Sequence, residues 1–599
     1  MKRRHSMPFG AEPVEGGTRF ALWAPKPRQV HLVLGRDNAR KIAMQREDDG
    51  WHRLVVPDVV PGTAYAFDVG EGTPVPDPAS RSNPWDVNGP SQVVDPADHE
   101  WDDASWRGRP WHEAVVYELH IGTFTPEGTF AAAIAKLDHL VETGITALEV
   151  MPVSDFSGAR NWGYDGVLPY APDSAYGSPA DFKRFIAEAH KRGLMVLLDV
   201  VYNHFGPEGN HLSRYAPQFF NEAKQTPWGA AINFDGDNSQ VVRDFFVQNA
   251  LYWVNEYHLD GLRLDAVHAI HDESRCHVVR EIAHAFDAGP RRERHVHLVV
   301  ENENNGAALL DAARGEPHAT AQWADDWHHA AHVLLSGEDD GYYQDFAQRP
   351  AWQLARALAE GFAYQGDASA HRKGAPRGEP SGSLALTAFM PFLQNHDQVG
   401  NRALGERLAT LASPEALRLG TAALLLAPQV PLVFMGEELG ARTPFLFFCD
   451  FHGDLARAVR EGRRKEFAAF AKFSSPEARE KIPDPTAEST FNASKIDWGH
   501  VDTEWLAFFR AMLALRREFI VPRLAGKHRG VRFEAKGKRG VAVDWTFGDG
   551  SVLHLRANFS SDAEPALAPA RGAIIHSEGD CSAQDGMPAW GGIWTLEPA

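Results

Sequence analysis

Cysteine is scarce: Cys276, Cys449 and Cys581 are the only three among 599 residues. An odd number at wide spacings gives neither a disulfide framework nor the paired spacing of a zinc site. It suits a reducing compartment. Long apolar runs are also missing, and no stretch approaches the roughly 20 residues that cross a bilayer. The opening residues, MKRRHSMPFGAEP, are basic but lack the apolar core of a secretory signal, so a cytoplasmic protein without a membrane partner is expected. Basic residues are the minority charge, 60 Lys and Arg against 80 Asp and Glu, with a net charge of −20 and a pI near 5.8. That balance argues against a nucleic-acid or anionic-membrane binder and suits a neutral substrate.

The remaining composition is that of a globular protein, 44% hydrophobic and 23% charged, long enough for two to four domains. Residues 1–98 carry short apolar segments (TRFALWAP, QVHLVLG, AYAFDVG) between Gly, Pro and Asp, the pattern of a β-sandwich. The stretch 77–96, DPASRSNPWDVNGPSQVVDP, reads as an extended connector. From about 111 apolar strands alternate with helix patterns. The strand candidates are AVVYELHIG, ITALEVMPV, LMVLLDVVYN, GLRLDAV, HVHLVVEN, TAQW, LTAFMPFLQN and PLVFMG. Several are apolar on both faces, as strands of a covered parallel sheet are. Helix candidates such as SPADFKRFIAEAHKRG start at Pro and end at Gly. Eight strands with intervening helices predict an α/β fold, a (β/α)8 TIM barrel over 99–520. An open doubly wound sheet is the alternative, but no Gly-rich phosphate loop follows the first strand. Residues 366–383 read as a mobile polar insertion, and 447–470 as a charged, partly helical excursion. The β pattern returns over 521–599, predicting a C-terminal β-sandwich.

Reactive groups in a barrel gather at the C-terminal ends of its strands. In GLRLDAVH (261–268) two charges interrupt an apolar run. With a period of two, Arg263 and Asp265 share one face and Leu262 and Leu264 the other. The pair therefore points into the barrel mouth, where an arginine favours the ionised carboxylate that a nucleophile needs; a structural ion pair is the alternative. Glu301 follows LVV, an apolar setting that suits a general acid. Asp397 lies where FLQNHDQVGNR turns from apolar to polar. Three carboxylates, an arginine and histidines at one barrel end suggest glycoside hydrolysis. Metal ligation is the competing reading, but no short ligand spacing such as HExxH occurs, and no metal or cofactor is expected.

These residues fall in four short regions, DVVYNH (199–204), GLRLDAVH (261–268), VVEN (299–302) and FLQNHD (392–397), that together resemble the α-amylase family of retaining glycoside hydrolases. The resemblance implies Asp265 as nucleophile, Glu301 as general acid/base and Asp397 as the group that binds sugar hydroxyls and stabilises the transition state. It implies that His204, Arg263 and His396 hold the sugar at the cleavage point, that Tyr164 stacks there, and that His268, Gln398 and Asn401 touch substrate. Asn203 matches an asparagine that binds calcium in many members, and the other ligands are not identifiable. The N-terminal segment is similar to the carbohydrate-binding-module-like sandwich of branching, debranching and trehalose-releasing members. GARNWGYDGVLPYAP, VVENENN, QWADDWHHA and FMGEELGARTPFLFFCDF are most similar to members that cut the α-1,4 bond between a maltooligosyl chain and terminal trehalose.

On that resemblance Asp325, Asp326, Trp327, His328 and His329 are expected to contact the leaving side of the substrate. Read without it, the same cluster is a helix start with Asp capping. Asn302 departs from the acidic residue that many relatives carry after the catalytic glutamate. The expected substrate is an α-glucan capped by trehalose, acted on by a monomer. A branching enzyme and an α-1,6 debranching enzyme share this domain plan. A non-catalytic sugar-binding relative would be expected to lack one of the three carboxylates.

Overall fold

The structure, a computed structural model, describes residues 5–599 apart from 7, 71, 470–472, 474, 527–528, 566, 568 and 582–585. Residues 1–4, MKRR, and Phe470 of the charged excursion lie outside the described residues.

Eight short parallel strands form the centre: β1 (Val116–Leu119), β2 (Ala147–Val150), β3 (Met195–Val200), β4 (Gly261–Leu264), β5 (His297–Val300), β6 (Ala321–Trp323), β7 (Phe389–Met390) and β8 (Leu432–Phe434). They pair in sequence order, and β8 pairs in parallel with β1. Between β7 and β8 the ladder continues through Leu432 N–H to Pro391 C=O at 2.9 Å, so the sheet closes into the expected barrel. Helices between the strands begin and end where the sequence marks them. Pro179–Lys191, for instance, has a Ser178–Asp181 capping box with Pro at its start.

The period of two sorts the barrel interior into layers. Val116, Ala147, Leu197 and Ala321 belong to an apolar floor with Trp111, Met390 and Leu432. Two residues further along the same strands stand Glu118, Glu149, Asp199 and Trp323, with Arg263 beside them on β4, all at most 2% exposed. A charged layer thus lies between the floor and the mouth. Burial pushes the Glu149 carboxyl well up, against the pull of Arg263 and reinforced by Glu118 and Asp199. Leu262 and Leu264 are fully buried on the opposite face of β4. Gly261 is required by the close approach of β5, because a Cβ there would lie 2.4 Å from the His297 carbonyl oxygen.

Two four-stranded antiparallel sheets precede the barrel, built from strands between Gly10 and Gln92. They face each other through contacts such as Phe20 on Tyr65, with ring centroids 5.0 Å apart. The stretch 77–96 is not the extended connector that its composition suggests. Ser91–Gln92 adds a strand to the second sheet, and Asp77 accepts the Tyr65 hydroxyl at 2.8 Å, so its Asp and Ser residues fold it back onto the sandwich. After the barrel a five-stranded antiparallel sheet spans Gly530 to Glu597. A two-stranded ribbon covers it through Ala542, Leu567 and Met587. Trp545 Nε1 donates to the Leu358 carbonyl at 3.0 Å and fixes the sheet to the helix Pro350–Glu360.

Candidate active site

Arg263 organises the barrel mouth. Its Nη1 donates to Asp199 Oδ2 at 2.7 Å and to Asp265 Oδ1 at 2.9 Å, and its Nη2 donates to Glu301 Oε2 at 2.8 Å. The guanidinium lies 4.0 Å from the centroid of the Trp323 ring. The expected Arg–Asp pair is therefore a four-residue network, with one cation serving carboxylates from the ends of β3, β4 and β5. Asp199 is held up to about 7: burial raises it, Arg263 opposes this, and the neighbouring Asp265 adds to the rise.

Immediately after Asp265 the chain turns through Ala266 in a left-handed conformation (φ 39°), a strained geometry of the kind that clusters at functional sites. The turn aims the Ala266 N–H at Glu301 Oε2, 3.0 Å away. Backbone bonds from Glu301 N–H to Leu264 C=O (3.0 Å) and from Val267 N–H to Glu301 C=O (2.9 Å) tie the two strand ends together. Glu301 thus has its carboxylate bonded by an arginine and a backbone amide, and is not in the purely apolar setting that LVV suggests.

Asp397 lies in the first turn of a short helix, His396–Gly400, capped by Asn395, and accepts Asn401 Nδ2 at 2.5 Å. Burial raises its pKa, with Glu301 adding and His396 and Arg263 opposing. His396 is clamped by Glu118, which accepts its backbone N–H at 3.0 Å and bonds Nδ1 at 2.5 Å. Burial lowers the imidazole, but the Glu118 charge and hydrogen bond outweigh it and the net shift is upward. Tyr164 stacks on His396 (4.9 Å, 23°) and donates its hydroxyl to Asp199 at 2.6 Å. His204 has both ring nitrogens engaged, with Asn203 at 3.1 Å and the Tyr164 carbonyl at 2.9 Å. Its flat face lies under the half-exposed Trp228 indole (4.4 Å, 5°), carried by the hairpin that joins Phe220–Thr226 to Gly229–Ile232.

A cavity of about 300 Å³ opens from Glu301 and Asp397. His268, Asp325, His329, Gln398 and Asn401 line it, together with Glu303, Tyr342, Asp345, Ser369, His371, Arg372 and Arg377. Among the described residues no group of three or more His, Cys, Asp or Glu is placed to hold a metal ion, and Asn203 Oδ1 is engaged by His204.

A curated malto-oligosyltrehalose trehalohydrolase from Saccharolobus solfataricus is 41% identical over 518 residues, covering 86% of this chain and 87% of that protein. The chain belongs to the malto-oligosyltrehalose trehalohydrolase family. Its counterpart from Arthrobacter ramosus is 39% identical over 94% of this chain and 96% of its own length. The alpha amylase catalytic domain profile matches residues 90–228, carbohydrate-binding module 48 (isoamylase N-terminal domain) residues 8–85, and a domain of unknown function, DUF3459, residues 528–594. A crystal structure described as a putative alpha amylase from Salmonella typhimurium superposes with a TM-score of 0.93 at 47% identity, over 99% of this chain and 100% of that one. A 1,4-alpha-glucan branching enzyme from Photobacterium profundum matches only 44% of this chain, at 34% identity.

Within this chain the QWADDWHHA segment divides. Asp325 and His329 reach the cavity wall, but Asp326, Trp327 and His328 do not. Asp326 is fully buried, pairs with Arg377 at 2.9 Å and accepts the Ala363 and Tyr364 N–H groups. Trp327 is core, and His328 bonds the Leu393 carbonyl and the Tyr343 hydroxyl. A helix, Asp325–Ser336, presents only some of its first-turn side chains to one side. Ala324, not an aspartate, is its N-cap.

The 366–383 insertion is not loose. Asp367–Ala368 pairs with Pro376–Arg377, and Arg372 donates to Asn304 Oδ1 (2.7 Å) and Glu303 Oε1 (2.9 Å). Sequence reasoning also missed Glu118, whose signal, a carboxylate inside VYEL, is the one that drew attention to Arg263. Trp228 and Arg372 carry no such local signal.

Proposed function

We propose that the protein is a retaining glycoside hydrolase that cleaves the α-1,4 bond between a maltooligosyl chain and terminal trehalose. The observation that carries the chemistry is the single guanidinium of Arg263 bonded to both Asp265 and Glu301. It keeps two carboxylates together, in keeping with a retaining pair, which stands about 5–5.5 Å apart. The relatives named above support the choice of substrate.

Arg263 bonds Oδ1 of Asp265, which leaves Oδ2 as the attacking atom. Both donors to Glu301 land on Oε2, which leaves Oε1 to carry the proton. Asp265 Oδ2 bonds to the anomeric carbon as the glycosidic bond breaks, and the Glu301 proton passes to the leaving trehalose oxygen. Water then attacks the anomeric carbon of the glycosyl ester, its proton goes to Glu301, and Asp265 leaves. Asp397 holds sugar hydroxyls at the distorted ring, with Tyr164 and His396 forming the stacked wall behind it. Asp325, His329, His268, Gln398 and Asn401 line the leaving side.

In this reading residues 1–98 form the carbohydrate-binding-module-like sandwich, 99–520 the catalytic barrel and 521–599 the C-terminal sandwich. The protein is expected to act as a monomer. The three cysteines are free, consistent with a cytoplasmic location.

The test is to incubate the protein with maltooligosyltrehalose, with linear maltooligosaccharide of equal length and with amylose. Free trehalose, reducing ends and branch points are measured. Trehalose release from the capped substrate, abolished in Asp265→Ala, is the expected result. Branch points in amylose without trehalose release would establish a transferase instead.

A further inference from the structure

We propose that Glu149 is a positioning residue of the active site, which holds the Arg263 guanidinium toward Asp265 and Glu301 from inside the barrel. This rests on the reading of the mouth as a retaining glycosidase site. Glu149 stands on β2, in register with Glu118 of β1 and Leu197 of β3. Its side chain points inward, two residues beyond Ala147 of the apolar floor. It is 1% exposed and does not line the cleft. A carboxyl buried there is costly to desolvate, and an apolar side chain of similar volume would fill the same space at less cost.

Its neighbours are polar and incompletely paired. Arg263, Glu118, Asp199 and Trp323 all act on the Glu149 carboxyl. Among the described residues, Glu149 Oε1 and Oε2, Asp199 Oδ1, Arg263 Nε and Trp323 Nε1 are buried atoms without a hydrogen-bond partner. They belong to β2, β3, β4 and β6, so donors and acceptors from four strands gather around one guanidinium. Nη1 and Nη2 of Arg263 are engaged at the mouth, which leaves Nε. Trp323 lies against the same guanidinium, its ring centroid 4.0 Å away. Glu149 therefore acts both on the cation and on the indole that supports it.

The charge on Glu149 decides what that action is. Burial pushes its carboxyl well up, Arg263 opposes the rise, and Glu118 and Asp199 reinforce it, so Glu149 stands neutral. The pull between Arg263 and an ionised Glu149 would be mutual and would draw the guanidinium inward. Asp199, Asp265 and Glu301 already share that cation, while Glu118 is engaged with His396. A neutral carboxyl both donates and accepts hydrogen bonds. It gives Arg263 a polar support without competing for its charge, and the fork stays directed at the two reacting carboxylates.

The experiment compares Glu149→Gln and Glu149→Met with the wild type in kcat, KM and pH profile for trehalose release from maltooligosyltrehalose, with circular dichroism to follow folding. Glutamine keeps a neutral polar group and should leave kcat within threefold. Methionine fills the space without polarity. It should fold, keep KM within threefold and lower kcat roughly 10- to 100-fold, since a misplacement of about 1 Å costs up to about 100-fold. The acid limb of its kcat/KM profile should move to higher pH, because carboxylates at the mouth lose part of the cation that favours their ionised forms. The infrared difference between wild type and Glu149→Gln at neutral pH should contain the C=O band of a protonated carboxylic acid, a readout that needs no substrate. A folded Glu149→Met protein with kcat within twofold of wild type and an unmoved acid limb overturns the proposal. So does a Glu149→Met protein that fails to fold, which makes Glu149 a structural group, a Glu149→Gln protein as impaired as Glu149→Met, or a carboxylate band in place of the acid band. Wild-type protein that releases no trehalose overturns the functional reading itself, and is seen before any variant is made.

Discussion

Replacing Arg263 by lysine keeps the charge and removes the fork. Arg263 makes three charge-assisted bonds, at 2.7, 2.9 and 2.8 Å, to Asp199, Asp265 and Glu301. Hydrogen bonds to charged groups contribute about 1.5–3 kcal/mol each. An ammonium is a compact point charge and cannot span the end of β3 and the end of β5 at once, so one or two bonds are lost. The flat contact with Trp323 is lost with them. The expected penalty is about 2–5 kcal/mol, or roughly 30- to 5,000-fold in kcat/KM if it is felt fully in the transition state. Arg263→Ala should be worse. It leaves three carboxylates facing one another without a cation, and Asp199, already held up to about 7 by burial against the opposing pull of Arg263, rises further. The assay is initial-rate trehalose release from maltooligosyltrehalose, with circular dichroism to confirm that the variant is folded. A folded Arg263→Lys protein within threefold of the wild-type kcat/KM would refute the argument that a shared guanidinium sets this geometry.

Three further outcomes follow from the same contacts. Glu118→Gln removes the charge that outweighs burial at His396, so the imidazole should titrate below its ordinary value near 6.5 instead of above it, as read by histidine NMR. In the wild type the stabilisation from this pair is fully present below pH 6.5 and lost as pH rises through the folded value; in Glu118→Gln that alkaline loss should vanish. Asp326→Ala leaves Arg377, 6% exposed, without its buried partner, and should lower stability by roughly 3–5 kcal/mol in urea unfolding; an unchanged midpoint counts against the structural role. Trp228→Ala removes the indole stacked on His204 and should raise KM about 3- to 10-fold, more than it lowers kcat, since an aromatic platform contributes about 0.5–1.5 kcal/mol. A change confined to kcat would show that the indole serves the chemistry instead.

Periodicity alone carries much of this protein. The alternation in GLRLDAV separates Leu262 and Leu264, which bury against the helices, from Arg263 and Asp265, which face the mouth, because successive strand side chains point to opposite faces. Eight strand segments alternating with helices predict a parallel sheet covered by helices, since strands apolar on both faces must be covered on both; that the sheet closes is seen in the pairing of the last strand with the first. The same rule would have exposed Glu118 and Glu149, carboxylates inside apolar strands, had it been applied to every strand.

Tertiary structure decided what no local pattern encodes. It made Arg263 the partner of three carboxylates, because β4 lies between β3 and β5 in the sheet and the register sets their ends side by side. It moved Glu301 out of its apolar sequence setting and onto Arg263 and the Ala266 amide. It split QWADDWHHA into Asp325 and His329 at the cleft and Asp326, Trp327 and His328 in the interior, because a helix turns about 100° per residue and only one face meets the cavity. It also fastened the polar insertion 366–383 to Glu303 and Asn304 across 68 or more residues of chain. Composition suggests a mobile loop there, because the charges that pin it lie far away in sequence.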